Sequence, residues 1–200
     1  MGLIDATHTT TALLDALREP GNDDAWRELC GRMIPIMRAV AFRMGALDAD
    51  VGDLVQTTLV TFLEAWRHGQ YDRTRGRLST YLLTILRSRV IELQRRHARR
   101  AGMRGESALV EAPSAGEAER CWMDERQRVL FATALDRLRA QGVEERLLQA
   151  FDLYALRGVN AAEVGSRLGM TREDVYDAKY RVTRRLRPIV ARLDELYEDL

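Results

Sequence analysis

Along most of this chain apolar residues recur three and four positions apart, the spacing of one face of an α-helix. A short run from Thr11 to Arg18 opens the pattern and stops at Pro20-Gly21. Asn22-Asp23-Asp24 then predicts the cap of a longer helix reaching about Met44. Its apolar positions are Trp26, Leu29, Cys30, Met33, Ile34, Met37, Val40 and Ala41. Pro35 falls inside it and should kink it, and Gly45 ends it. A second helix is predicted over 48–68, with Val55, Leu59, Phe62, Leu63 and Trp66 on its inner face. Gly69 to Gly76 reads as a loop. A third helix starts near Leu78 to Thr80 on the stripe Leu78, Tyr81, Leu82, Ile85, Leu86, Val90 and Leu93, and frays after Arg95. Period-two runs of β-branched and aromatic residues are missing, so strands are not expected.

Residues 102–120 break the periodicity. They are rich in Gly, Ala, Ser and Glu, contain Pro113, and read as a flexible acidic linker. Helical patterns resume over 124–140, 143–157, 160–168 and 171–187, where Pro188 should bend or end the last helix before a short C-terminal one. The expected fold class is all-α: two small helical domains joined by a flexible acidic linker, the second a helix-turn-helix bundle. The expected boundaries are an N-terminal extension over 1–22, a first domain over 23–101, a linker over 102–122 and a second domain over 123–200.

Two short patterns of the second domain meet at Gly169. The first puts Ala162 and Val164 inside and offers small Gly165 where a crossing helix can approach. The second opens on Thr171, a good N-cap residue, and repeats Val175, Ala178, Val182 and Leu186 on its inner face. Its outer surface carries Arg172, Glu173, Tyr176, Asp177, Lys179, Tyr180, Arg181, Arg184 and Arg185. A helix-turn-helix lays its recognition helix into a DNA groove in this way, N-terminal residues toward base edges and later cations toward phosphates. A plain helical hairpin with a solvated basic face would carry the same pattern.

Charge adds to the picture through its distribution, since the net charge is only +1. Between Arg73 and Arg104 stand ten arginines and one acidic residue, Glu92. Between Arg172 and Arg192 stand seven basic residues against three acidic. The intervening stretch from Glu106 to Glu125 has six acidic residues and one arginine. Two separated basic patches point to nucleic acid met in two places. No apolar run reaches the length of a membrane span and no charged-then-apolar leader opens the chain, so a cytoplasmic protein without membrane contact is expected. Cys30 and Cys121 stand far apart with no metal-ligand spacing and are expected to be reduced packing residues. His8, His68 and His97 are isolated and read as surface residues. No nucleophile–base arrangement, phosphate loop or metal cluster is present in the sequence, so neither an enzyme nor a cofactor is expected.

Three motifs in order carry a family resemblance. Asp53-Leu54-Val55-Gln56 is followed by Phe62-Leu63-Glu64-Ala65-Trp66. The segment from Gly76 to Glu92 reads GRLSTYLLTILRSRVIE, and the last helix carries the pattern Ala178-Lys179-x-Arg181-Val182-x-x-Arg185-Leu186-Arg187. Together they resemble the extracytoplasmic-function sigma factors of bacterial RNA polymerase. The resemblance implies a protein that binds core polymerase and directs promoter-specific initiation. It implies docking on the clamp helices of the largest polymerase subunit through Asp53, Gln56, Thr57, Val60, Thr61 and Glu64. It implies capture of the melted minus-ten strand by Arg73, Arg75, Arg77, Ser79, Thr80, Thr84, Arg87, Ser88 and Arg95. The upstream promoter element would fall to Thr171, Arg172, Glu173, Tyr176, Asp177, Lys179, Tyr180, Arg181, Arg184 and Arg185. Tyr81 is expected in the core rather than as a stacking platform.

The chain departs from the family pattern at instructive places. Gly52 and Thr57 stand where acidic residues are usual, Ser88 where Asn is usual, and Tyr176 and Ala178 where basic residues are common. Thr57 is therefore a phosphorylation candidate, with Thr58 and Thr61 behind it, because a phosphate restores missing negative charge. The resemblance extends to a Ser/Thr kinase or an anti-sigma factor as a further partner. Two other readings remain open: a dimeric helix-turn-helix regulator acting without polymerase, and a helical adaptor that binds protein alone.

Overall fold

The computed structural model describes residues 10–19, 21–100 and 113–197. Among them are the helices α1 (Thr10–Ala16), α2 (Asp23–Arg43), α3 (Asp48–Arg67), α4 (Leu78–Arg100), α5 (Ala115–Ala140), α6 (Glu145–Phe151), α7 (Ala161–Leu168) and α8 (Arg172–Leu196). No strand occurs among the described residues, as the missing period-two pattern led one to expect. The chain divides into two compact units, one reaching to Val129 and including Leu196 and Tyr197, the other spanning Leu130–Glu195.

The first unit is built on α2, α3 and α4. Asn22 caps α2, its side chain accepting from Ala25 N at 3.1 Å. Leu29, Met33, Ile36, Met37 and Val40 are fully enclosed, with Val51, Val55, Leu59 and Phe62 of α3 and Leu78, Leu82, Leu86 and Val90 of α4 completing the core. Ile36, not Ile34, takes the deep position on α2. Pro35 lies inside this helix, which continues through it. At the open end of the core Tyr71 packs between Phe62, Trp66 and Tyr81, with centroids 5.8, 5.8 and 4.9 Å away. Tyr81 is thus spent on packing. The Tyr71 hydroxyl donates to Gly76 O at 3.1 Å, tying down the loop that leads into α4.

A charged residue lies at the centre of this unit, which periodicity alone does not foretell. Arg32 is completely buried, where an uncompensated charge would be costly. It pairs with Glu28 one turn earlier and donates to Leu196 O at 2.9 Å, and its guanidinium lies 5.3 Å from the centre of the Tyr197 ring. Thr10 Oγ1 donates to the same carbonyl at 3.2 Å.

Two expectations need correction. The linker expected over 102–122 falls outside the described residues as far as 112, but from Ala115 onward it is helix. Ser114 and Glu117 form a reciprocal capping box: Ser114 N donates to Glu117 Oε2 at 2.7 Å, and Glu117 N to Ser114 Oγ at 3.2 Å. Ala118, Cys121 and Trp122 are then buried, so α5 begins seven residues before Trp122 rather than after it. At the other end α8 does not stop at Pro188 but runs to Leu196. Leu193, Leu196 and Tyr197 are buried beyond the proline, and that burial offsets the roughly 3 kcal/mol a proline costs inside a helix.

The second unit closes around Ala150, Ala161, Val164, Val175 and Ala178. Between α6 and α7 the chain makes a π-helical turn, Asp152–Leu156. Asn160 caps α7 by accepting from Glu163 N at 3.0 Å. Ala161 faces inward and Ala162 is exposed, one position out of phase with the sequence reading. Gly169 ends α7 in the left-handed region at φ 62°, a conformation open to glycine at little cost. Gly165 is needed for a different reason: a Cβ there would sit 2.4 Å from Met170 O, so the turn backbone itself occupies the space.

Candidate functional site

Three helix faces carry the residues of interest. On α3 the inner positions are Val51, Leu54, Val55, Thr58, Leu59, Phe62, Ala65 and Trp66. What remains outside is Asp53, Gln56, Thr57, Val60 and Glu64, all exposed, with Thr61 half-buried. Spacings of three, four and seven put them on one stripe. Val60 is 46% exposed, an apolar residue in the middle of a polar row. The Thr61 hydroxyl is turned back onto Thr57 O at 2.8 Å, and the Thr58 hydroxyl onto Leu54 O at 2.7 Å. Thr58 is wholly buried and drops out as a modification candidate, whereas Thr57 stands in solvent. Beside Thr57 a hollow of about 300 Å³ is walled by Asp50, Asp53, Arg89, Glu92, Arg96, His97 and Arg100. In it His97 Nε2 lies 3.8 Å from Asp50 Oδ2.

The second face belongs to α4. An open hollow of about 880 Å³ is lined by Thr80, Thr84, Arg87, Ser88, Arg95 and Arg99, with Ala115, Ala118 and Glu119 of α5 on its other wall. The structure therefore gathers five of the expected strand-capture residues, Thr80, Thr84, Arg87, Ser88 and Arg95, around one space. It adds Arg99, one helical turn beyond Arg95 and readable from that spacing. Arg87 is half-buried, and its Nε donates to Pro113 O at 2.8 Å. Thr84 Oγ1 donates to Thr80 O at 2.7 Å, and a hydroxyl that donates keeps its lone pairs to accept with. Glu92 draws in Arg89 at 3.6 Å and Arg96 at 3.4 Å.

Other expected members of this group lie elsewhere. Ser79 is 7% exposed, turned inward with Leu78 by the first turn of α4, so it presents no free surface. Arg73 reaches across to the Thr11 hydroxyl of α1. Arg73 and Arg77 line a different hollow, with Arg18, Trp66 and Tyr71, and Arg75 is exposed in the short 3-10 turn Arg73–Arg75. Asp72 caps that turn, and its bonds to the Thr74 hydroxyl and amide hold its carboxyl below the usual range.

The third face is the outside of α8. Thr171 and Asp174 form a second reciprocal capping box, Thr171 N to Asp174 Oδ2 at 2.9 Å and Asp174 N to Thr171 Oγ1 at 3.1 Å. The Thr171 amide and then its hydroxyl lower the Asp174 pKa. All of Thr171, Arg172, Glu173, Tyr176, Asp177, Lys179, Tyr180, Arg181, Arg184 and Arg185 are exposed, as the sequence pattern requires of an outer face. Tyr176 and Tyr180 are 51% and 63% exposed, large apolar surface for positions outside the core. Arg181 pairs with Asp177 at 3.3 Å, and Arg184 lies 5.9 Å from the Tyr180 ring centre. Arg146 of α6, absent from the sequence reading, donates to Gly169 O and braces the turn.

Among the described residues no group of His, Cys, Asp and Glu could hold a metal ion, and no helix is long and apolar enough to cross a membrane. Cys30 and Cys121 are free thiols, Cys30 raised by burial to about 11.

Residues 29–100 match the family described as Sigma-70 region 2. The matched segment runs from Leu29 in α2 to Arg100 at the end of α4, so it takes in the α3 face and the α4 wall of the larger hollow, but not its α5 wall. It supports a sigma-70 family factor, with core RNA polymerase and promoter DNA as the partners this domain implies. No curated protein and no solved structure matches the chain.

Proposed function

We propose that this protein is a sigma factor of the extracytoplasmic-function type, acting in the cytoplasm, that docks on core RNA polymerase through α3 and directs initiation at promoters read in two places. The observation that supports this best is the α4 hollow, whose wall inside the matched segment carries Thr80, Thr84, Ser88, Arg87, Arg95 and Arg99 beside Leu83, Ile91 and one carboxylate, Glu92. Arginines around such a space hold phosphates, and hydroxyls and backbone read an extruded base. A convex helix face with exposed cations suits an intact groove instead, and that is the character of α8. The two surfaces call for melted and duplex DNA respectively.

Thr57 sharpens the proposal. With Gly52 and Thr57 in place of acidic residues, Asp53 is the only carboxylate from Gly52 to Thr57. Phosphorylation of Thr57 adds about −1.5 to −2 charges at the centre of the α3 face. The hollow beside it holds Arg89, Arg96 and Arg100 together with Asp50, Asp53 and Glu92, and Glu92 pairs with Arg89 and Arg96, so the added charge is left for polymerase to meet. The reading is a kinase-controlled factor whose basal affinity for polymerase is low.

The test is co-elution with core polymerase and run-off transcription for wild type, kinase-treated protein, Thr57→Ala and Thr57→Glu. The expected order is treated wild type, then Thr57→Glu, then untreated wild type and Thr57→Ala. Full activity of untreated wild type, equal to the Glu variant, removes the switch and leaves the sigma factor. Absence of co-elution in every form, with a dimeric mass in solution, supports the regulator that acts without polymerase.

A further inference from the structure

The outer face of α8 has a support that lies on neither α7 nor α8. Tyr154 sits in the π-helical turn Asp152–Leu156. Turns of this kind are uncommon and gather at functional sites. The Tyr154 ring is half-buried and rooted on the core of the second unit. From there it makes two contacts with α8. It meets the Tyr176 ring edge to face, centroids 5.5 Å apart at 65°. Its face also receives the Lys179 ammonium, 5.4 Å from the ring centre. Tyr176 and Lys179 are three residues apart, on one side of the helix. Both are otherwise in solvent.

A side chain held in place before binding loses less freedom on binding, and a fixed ring discriminates between bases better than one that swings. Tyr176 lies in the N-terminal part of α8, the end that enters a major groove first, and Lys179 lies one turn on. We propose that Tyr154 is a positioning residue for upstream promoter recognition. Its ring fixes Tyr176 against a base edge and Lys179 toward the adjoining phosphate, so base preference depends on a residue set back from the DNA. The inference rests on reading α8 as the DNA-contacting helix.

The experiment is transcription by the full chain with core polymerase on promoters randomised in the upstream element. Tyr176→Ala first identifies the base pair whose preference it alters. Tyr154→Leu should weaken preference at that same base pair by about three- to ten-fold, the range of an aromatic pair. Tyr154→Phe should retain it, because the ring and not the hydroxyl makes both contacts. The double variant with Tyr176→Ala should be no worse than Tyr176→Ala alone. Unchanged preference in a folded Tyr154→Leu protein overturns the proposal. Should that variant not fold, proton NMR of the wild type and of Tyr154→Phe decides. The Lys179 methylenes should be shifted upfield by the ring in both, and ordinary shifts overturn the proposal. If Tyr176→Ala itself changes no base preference, the reading of α8 fails, and that outcome is distinct from failure of Tyr154 alone.

Discussion

The α4 hollow and the α8 outer face are both helix surfaces crowded with arginine, yet they are built in opposite ways. On α4 Arg87, Arg95 and Arg99 line one space, and Arg87 is engaged there with Pro113 O. On α8 the cations stand out on a convex surface, and Arg181 pairs with Asp177 between two exposed side chains. Exposed pairs of that kind are worth little and are easily exchanged for phosphate. Arginine content alone therefore does not define a nucleic-acid site. Under the proposed function, the first surface would take a strand that has already left the duplex, and the second a duplex that keeps its form.

The sharpest way to break this contrast is to remove the support of one surface. Gly165→Ala forces a Cβ into the Met170 carbonyl and should destabilise the second unit by about 3 kcal/mol, the upper end of overpacking costs. Gly169→Ala should cost about 1 kcal/mol, because the main obstacle there is its left-handed backbone. Thermal melting followed by fluorescence reads the order, and equal effects of the two would contradict the geometry.

A second contrast separates the two kinds of DNA. Arg87→Ala combined with Arg95→Ala should lower open-complex formation about ten-fold on a duplex promoter, and far less on a template already melted. Arg184→Ala and Arg185→Ala should weaken duplex binding on all sequences alike, lowering the salt slope by about one for each phosphate no longer neutralised. Arg172→Ala should instead change which upstream element is preferred. A reversed assignment in promoter-library transcription would merge the two surfaces into one.

The smallest expected effect is on pH. Asp174 has a pKa below its ordinary 3.8 because the Thr171 amide and hydroxyl bond its ionised form. A lowered carboxylate stabilises the fold above its ordinary value, and that contribution disappears as pH falls through the lowered value. Glu117 in the α5 capping box, lowered by the Ser114 hydroxyl and amide, has the same sign. Asp174→Asn should therefore lose a little helix stability at neutral pH and show a shallower decline below about pH 4 than wild type. Circular dichroism across that range reads the difference, and parallel declines would contradict it.

Much of this was legible in the sequence because it depends on local rules. The α8 face was complete, since a 3.6-residue period sets which side is outward and a cap sets where the helix begins. On α3 the outward positions were legible too, Thr57 among them, while Thr61 is half-buried with its hydroxyl on Thr57 O. Errors arose where tertiary burial overrides local signals. Pro188 reads as a bend or an end before a short C-terminal helix, but one helix runs through it, with Leu193 and Leu196 buried beyond it. The start of α5 was hidden in a low-complexity acidic stretch, although its Ser114-x-x-Glu117 capping box was in plain view. Arg32 and Ser79 were unreadable as buried polar residues, because only the partners folded over them make burial tolerable. Tyr154 was missed because a π-helical turn leaves no periodic mark.

The central claim is that the α3 face holds core RNA polymerase. Its most direct test is binding of Val60→Asp, measured with core enzyme against wild type, both kinase-treated. Val60 is exposed and central on that face, so the substitution leaves the fold intact while placing a buried charge in the interface. The predicted result is at least a ten-fold weaker association with an unchanged melting temperature. Association equal to wild type would place polymerase elsewhere on the molecule.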